Sequence, residues 1–185
     1  MDYNQPIELT DTSTGLDLLN ETRRKFSLRI NQVVDDVANI PVDNQNVAHL
    51  LSQHIMHRLQ TMQMLTILTP EEVEAATACI QRRMNGDEPY FLVFAPVQHS
   101  GYIKYTVSEL MGMWRELLQD FLEFSLKKVC TYPATEQAKI VSFAKIATLA
   151  ASEVDIISSQ EYDTCTQILQ DIEHGNQPNT YTFLS

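Results

Sequence analysis

The sequence predicts a helix-dominated α+β domain, in which about five main α-helices pack around a central helix at residues 108–130, beside one β-hairpin at about residues 90–107. Most of the chain carries apolar residues at the spacing of amphipathic helices. Only 5 of its 185 residues are glycine and 7 are proline, and this scarcity argues against a turn-rich all-β fold. Near residue 90 the pattern changes to short aromatic and alternating runs, which are typical of strands.

Three helices are predicted before the hairpin. The first 11 residues are polar and predict a flexible leader. A first helix, from about residue 12 to residue 39, carries its apolar side chains on one face about 100° wide. Pro41 interrupts the chain, and a second helix is predicted from about residue 43 to residue 67. A third helix begins with TPEE at residues 69–72, a capping box with proline in the first turn, and ends near residue 84.

The predicted hairpin joins two short runs of strand-like residues. Residues 90–94 (YFLVF) are aromatic and apolar, and residues 102–107 (YIKYTV) alternate between polar and apolar. The sequence PVQHSG between them has the composition of a turn. Because a lone hairpin is marginally stable in water, we expect it to lie against the helices or to extend another sheet.

The predicted central helix has an apolar arc about 180° wide, whereas a surface helix needs only about 100°. We therefore expect this helix to be covered from two sides. Ser108 can cap its first turn, and Glu109 and Lys127 match the charges at its two ends. The arc contains Leu110, Met113, Trp114, Leu117, Leu118, Phe121, Leu122, Phe124 and Val129.

Two further helices and a tail complete the predicted domain. A helix from about residue 135 to residue 151 has a narrow stripe rich in alanine, which permits close approach to a neighbouring helix. A capping box, SSQE at residues 158–161, begins the last helix, which ends at Gly175. Residues 12–175 are predicted to be a single domain, followed by a polar tail at residues 176–185.

Charge and cysteine content narrow the class of protein. The net charge of −11 disfavours nucleic acid or an anionic membrane as a partner. The three cysteines are widely spaced and odd in number, so reduced thiols are expected rather than a disulfide framework. The N-terminal sequence lacks the pattern of a signal peptide, and no run reaches the ~18 apolar residues of a membrane span. The expected location is the cytoplasm, without membrane insertion.

Histidines of the second helix are the candidate metal ligands. At about 100° per residue, His54 and His57 lie close enough to share a ligand, whereas His49 points to the other side. A metal site on a helix needs its ligands on one face, and this helix supplies no carboxylate to complete one. The favoured interpretation of His54 is a hydrogen-bonded core histidine, and no metal or other cofactor is predicted.

One further segment of the sequence is a candidate catalytic site. His99-Ser100-Gly101 is the one place where a histidine and a hydroxyl share a predicted exposed loop, although no nucleophile-elbow motif surrounds it. No phosphate-binding glycine motif is present either. A metal-dependent or His/Cys enzyme using His54, His57 or His99 therefore stands as the alternative, and a small-molecule sensor with a cavity between helices as a third hypothesis.

The leading functional hypothesis is a non-enzymatic interaction protein, an adaptor or chaperone-like subunit of a larger hetero-oligomeric assembly. From residue 146 to residue 185 there is no Lys or Arg, so this part is either a solvated acidic face or a docking surface for a basic partner. The expected partner is another protein with a basic surface or an amphipathic helix. Candidate contact residues, two methionines off the inward face and six acidic residues, are Met56, Met64, Glu153, Asp155, Glu161, Asp163, Asp171 and Glu173.

Overall fold

The computed structural model describes residues 5–40, 45–84, 92–98, 101–127, 129–176 and 183–184. In these ranges the chain forms six α-helices and no strand, so the predicted α+β class is wrong and its helix-dominated part is confirmed. The α-helices are α1 (Gly15–Ala38), α2 (Gln45–Met64), α3 (Pro70–Met84), α4 (Val107–Lys127), α5 (Ala134–Glu153) and α6 (Ser159–Glu173). Two short 3-10 helices, Gly101–Lys104 and Val129–Thr131, precede and follow α4.

The predicted β-hairpin at about residues 90–107 is the part of the fold that the structure overturns. Residues 92–97 have no regular secondary structure, and Gly101–Lys104 is a 3-10 helix. In the described part of the chain, β-type pairing is confined to one isolated bridge between Thr14 and Thr106. Residues 90, 91, 99 and 100 of the predicted hairpin lie outside the described ranges.

Along residues 92–94 the side chains alternate between buried and exposed. Leu92 and Phe94 are buried, and the Phe94 ring stacks on Phe26 of α1, whereas Val93 between them is 57 % exposed. The segment is extended but has no partner strand among the described residues, because side chains of α1 take the backbone hydrogen bonds that a second strand would supply. The alternating run that was predicted to be a strand, residues 102–107, instead forms a 3-10 helix and the start of α4.

The chain divides into two compact units, Met1–Leu110 and Met111–Ser185, which we call unit 1 and unit 2. Unit 1 contains α1, α2 and α3, and α1 contacts both of the others. Unit 2 contains α5 and α6, which pack on each other, and most of α4. The predicted limits of a leader, a single domain and a tail stay a prediction.

In unit 1, the first turn of α1 lies very close to the chain that precedes α4. Thr14 caps α1 in a reciprocal capping box with Asp17. The next residue, Gly15, donates its N–H to the Tyr105 carbonyl at 2.7 Å. A Cβ on Gly15 would lie 2.7 Å from the Tyr102 carbonyl oxygen, so only glycine fits this approach.

In unit 2, α4 has a fully buried face formed by Trp114, Leu118, Leu122 and Leu126. Phe121 lies at the edge of that face, and its ring meets Phe143 of α5 edge-on at 5.1 Å between centroids. Neighbouring elements do not cover the whole apolar arc of α4 as predicted, because other apolar residues of that arc are exposed to solvent.

Small residues let α5 and α6 approach closely. Ala144, Ala147 and Ala151 of α5 are fully buried, as the narrow alanine stripe predicted. Ser158 caps α6 in a capping box with Glu161, also as predicted. Among the described residues, no helix has both the length and the apolarity needed to cross a membrane.

Candidate interaction surfaces

An exposed apolar surface runs along α4 in unit 2. Met113, Leu117 and Phe124 are 38 %, 36 % and 71 % exposed, and we call these three residues the α4 stripe. At about 100° per residue they fall within an arc of about 40°. Spacings of four and seven residues between anchors are those by which one helix docks on another.

Acidic side chains border the α4 stripe on one side. Glu116 and Asp120 are exposed, and neither forms an ion pair with a described residue. Asp120 lies about 20° from Met113 and about 40° from Phe124 around the helix axis. The surface therefore combines exposed apolar area with negative charge that faces solvent.

This surface was not predicted, because the apolar pattern placed all three stripe residues in an arc expected to be buried. The signal was present in the width of that arc, about 180°, which is close to twice what one neighbouring layer covers. In the structure the buried leucines take one half of the arc, and the α4 stripe is the other half.

Another side of α4 makes an ion pair inside unit 2. Arg115 donates two hydrogen bonds to the Glu161 carboxylate, one of them at 3.0 Å, and a third to the Ile156 carbonyl at 3.3 Å. Glu161 also accepts the Ser158 N–H at 2.9 Å. Arg115 first, and then the Ser158 cap against the opposing effect of burial, lower the pKa of Glu161 to about 2. Its carboxylate therefore stabilises the junction of α4 and α6.

The other predicted acidic contact residues are dispersed over unit 2. Glu173 pairs with Lys145 at 2.5 Å, and Asp171 accepts a hydrogen bond from Gln167 at 3.2 Å. The remaining three differ in exposure, since Asp155 and Asp163 are exposed and Glu153 is half-buried. Their role as a docking surface for a basic partner stays a prediction.

The two predicted methionines lie in α2 of unit 1. Met56 and Met64 are both half-buried. The Thr77 hydroxyl of α3 donates to the Met56 sulfur at 3.6 Å, so that side chain takes part in the α2–α3 contact. Contact of these methionines with a partner stays a prediction.

The candidate metal ligands His54 and His57 are half-buried on α2. Burial lowers the pKa of both rings, with a further contribution from Arg58 at His54 and from His54 at His57. His49 is exposed, with a ring nitrogen 3.2 Å from the Gln53 amide. Within the ranges that the structure describes, no three His, Cys, Asp or Glu residues form a group that could hold a metal ion. The third histidine of the enzyme hypothesis, His99, lies outside those ranges.

Four polar side chains of α1 hold the extended segment of unit 1. Asn20, Arg23, Ser27 and Asn31 follow one another at spacings of three or four residues and so lie on one face of α1. We call them the polar ladder. The ladder was not predicted, although four polar residues at helical spacing on a face that also carries the core are a recognisable signal.

The two ends of the polar ladder bind one backbone residue each. Asn31 accepts the Leu92 N–H at 2.9 Å and donates to the Leu92 carbonyl at 2.7 Å. Asn20 makes the same pair of bonds to Val97, at 2.8 and 3.1 Å. Each asparagine thus imitates the two hydrogen bonds that a neighbouring strand would provide.

The middle of the ladder adds an ion pair between a buried arginine and a half-buried glutamate. Ser27 accepts the Phe94 N–H at 3.2 Å, and Arg23 donates to the Ala95 carbonyl at 2.8 Å. Arg23, which is 3 % exposed, also pairs with Glu72 of α3. These bonds hold residues 92–97 in one place against α1.

Beside the polar ladder lies a groove with a volume of about 640 Å³. Its apolar surface includes Leu28 and Val93, which are 50 % and 57 % exposed, and its polar lining includes Arg24 and Asp36. Arg24 is paired with Glu21 at 2.7 Å, so the charge of the arginine is balanced within α1. The groove is of the size that small-molecule sites occupy.

Comparison of the chain with models of protein families, with curated proteins and with solved structures gave no match.

Proposed function

We propose that this chain is a non-enzymatic interaction protein that binds an amphipathic helix of another protein, as an adaptor or chaperone-like subunit of a larger assembly. The observation that carries the proposal is the α4 stripe with its acidic border. The exposed stripe supplies apolar area for an anchor side chain at each of its three positions. The free thiols of Cys79 and Cys165 support a cytoplasmic location, where thiols stay reduced.

The acidic border of the α4 stripe indicates which partner helices would bind it. Asp120 and Glu116 stand beside the α4 stripe, so a partner helix with Lys or Arg flanking its apolar face gains complementary contacts. The net charge of −11 also accelerates the approach of a basic partner at low salt. These exposed charges contribute mainly to association rate and specificity, whereas the buried apolar anchors supply most of the affinity.

The proposal is tested with two synthetic amphipathic peptides of about 20 residues, each with leucine on one face. One peptide carries lysine on its polar face and the other carries glutamate. Anisotropy of a fluorescent label should show that the lysine peptide binds the full chain at least about tenfold more tightly than the glutamate peptide, which corresponds to about 1.4 kcal/mol. Leu117→Asp should weaken binding of the lysine peptide by at least about tenfold.

Leu50→Asp is the matched control, because Leu50 is an exposed leucine of α2 in unit 1, at 57 % exposure. The control should leave binding unchanged. The proposal fails if the lysine peptide does not bind, or if the two leucine substitutions weaken binding equally, since the second result would indicate general adhesion to apolar surface.

A second candidate function, small-molecule binding, is favoured by the groove of unit 1. Leu28 and Val93 supply apolar contact, and Asp36 is suited to a ligand that carries a positive charge. A screen of cationic amphiphilic compounds by thermal shift tests it, because a ligand of the folded state raises the melting temperature. A hit should lose its effect in Val93→Asp, and a screen without hits would remove this candidate.

A further inference from the structure

Residues 183–184, close to the C-terminus, are bound by side chains of α4 and α6 within unit 2. The Gln119 side-chain oxygen accepts the N–H of Phe183 at 2.9 Å and the N–H of Leu184 at 3.0 Å. The Cys165 thiol donates to the Phe183 carbonyl at 3.4 Å. The Phe183 side chain is 2 % exposed and that of Leu184 is half-buried.

The two side chains that bind the Phe183 backbone have the amide orientation and the protonation state that these hydrogen bonds require. The Gln119 side chain also hydrogen-bonds to Glu123, a contact in which the amide N–H₂ donates and the oxygen is left to face Phe183. Cys165 is fully buried. Burial, with a smaller effect of Glu161, raises the pKa of its thiol to about 11, so at neutral pH the thiol keeps the proton that it donates.

The contacts divide into two kinds. Gln119 and Cys165 bind backbone groups, which every residue possesses, so they select a backbone conformation, in which two consecutive N–H groups face one acceptor, rather than a sequence. The buried Phe183 ring supplies the sequence preference, because an aromatic side chain contributes more buried area than almost any other residue. Together they form a complete recognition site with an occupant in place.

We infer that unit 2 contains a peptide-binding site, formed around Gln119 and Cys165, that recognises a protein segment carrying phenylalanine followed by an aliphatic residue. The chain's own Phe183 and Leu184 are its ligand in cis. A segment of the same pattern supplied in trans is the external ligand. At about 100° per residue Gln119 lies about 160° from Leu117, so this site is separate from the α4 stripe.

Because Phe183 and Leu184 occupy the site in cis, they compete with any free peptide that binds there. A tethered ligand acts at an effective concentration in the millimolar range, so a free peptide at micromolar concentration does not displace it. Removing the Phe183 ring from the chain should vacate the site and allow the free peptide to bind. The wild-type chain is therefore the occupied reference, and a Phe183 variant is the vacant form.

The probe is a fluorescein-labelled peptide, TYTFLS, which repeats residues 180–185. By anisotropy, the full-length Phe183→Ala chain should bind it at least about tenfold more tightly than the wild-type chain does, since the cis ligand no longer competes. The control peptide TYTALS should bind the same variant at least about tenfold more weakly than TYTFLS. Adding Gln119→Leu to Phe183→Ala should weaken TYTFLS binding by a similar factor, because two backbone N–H groups lose their acceptor.

Circular dichroism establishes that each variant is folded. If Phe183→Ala is not folded, Phe183→Leu replaces it, because leucine keeps apolar volume in the site while weakening the cis ligand. The inference is overturned if the folded variant binds neither peptide, or binds TYTFLS and TYTALS equally. Leu117→Asp should leave TYTFLS binding unchanged, so this result and the result for the α4 stripe can fail independently.

Discussion

At the scale of single residues, side chains that bind backbone groups do much of the structural work. Asn31 and Asn20 each satisfy both polar groups of one residue in the extended segment, and Gln119 satisfies two consecutive N–H groups near the C-terminus. A segment that lacks a partner strand would otherwise bury unpaired N–H and C=O groups, each at a cost of about 1–3 kcal/mol. These amides therefore determine where irregular chain can pack.

Asn31→Ala tests the polar ladder. The substitution leaves the buried N–H and carbonyl of Leu92 without their partner, and we expect the free energy of unfolding to fall by about 2 kcal/mol or more. Urea denaturation followed by circular dichroism measures it. Gln32→Ala, at an exposed neighbouring position, should change stability by less than about 0.5 kcal/mol. Equal effects of the two substitutions would contradict a role for the ladder.

The carboxylate of Glu161 makes the free energy of unfolding depend on pH in the acid range. Its pKa falls from 4.5 in the unfolded chain to about 2 in the folded one, with Arg115 as the largest cause. The ion pair thus stabilises the fold fully above about pH 4.5, and this contribution is lost as the pH falls toward about 2.

Glu161→Gln should remove that pH dependence while lowering stability at neutral pH. The measurement is the free energy of unfolding from urea titrations between pH 2 and pH 7, in steps of about one pH unit. Asp163→Asn is the control, since Asp163 is exposed on the same helix. If the wild type and Glu161→Gln have parallel profiles, the assignment is wrong.

At the scale of the element, α4 carries two apolar faces that differ in exposure. Its leucines at positions 118, 122 and 126 are fully buried, and the exposed α4 stripe runs along another face. Amphipathic periodicity locates such a helix but does not distinguish apolar residues that face the core from those that face solvent. Burial in the structure makes that distinction.

Leu122→Ala and Leu117→Ala separate the two faces of α4. Leu122 is 0 % exposed, so its truncation should lower the free energy of unfolding by about 2–5 kcal/mol. Leu117 is 36 % exposed, so its truncation should cost less than about 1 kcal/mol and act on peptide binding instead. Thermal and urea unfolding compare the two, and a larger loss for Leu117→Ala would contradict the orientation of α4.

At the scale of the whole molecule, the titration of half-buried histidine and buried cysteine side chains determines the pH range in which the fold is most stable. Burial lowers the pKa of His54 and His57 below 6.5, so the unfolded chain takes up protons first as the pH falls. Burial raises the pKa of Cys165 from 9.0 to about 11, so the unfolded chain loses this proton first as the pH rises.

Stability is therefore expected to be highest between about pH 6.5 and pH 9, and to fall on both sides. A series of urea titrations from pH 4 to pH 11, in steps of about one pH unit, checks this profile. Cys165→Val should flatten the alkaline side, because it removes the titrating group and retains apolar volume. A wild-type profile that rises above pH 9 would contradict the burial of that thiol.

The sequence by itself determined the features that depend on near neighbours. The helices and the caps at Thr69 and Ser158 arise from residues three or four positions apart, whose contacts are available in any environment. The alanine stripe of α5 was readable for the same reason, since helical spacing fixes which residues share a face.

Only the tertiary structure decided which neighbour each face meets. The extended segment binds α1 through Arg23 and Ala95, which are 72 residues apart, and no local pattern specifies such a pair. The same holds for the α4 stripe, because its exposure depends on where the other helices of unit 2 end. The hydrophobic effect is not directional. An apolar pattern therefore predicts that a residue is buried, but it does not specify which element buries it.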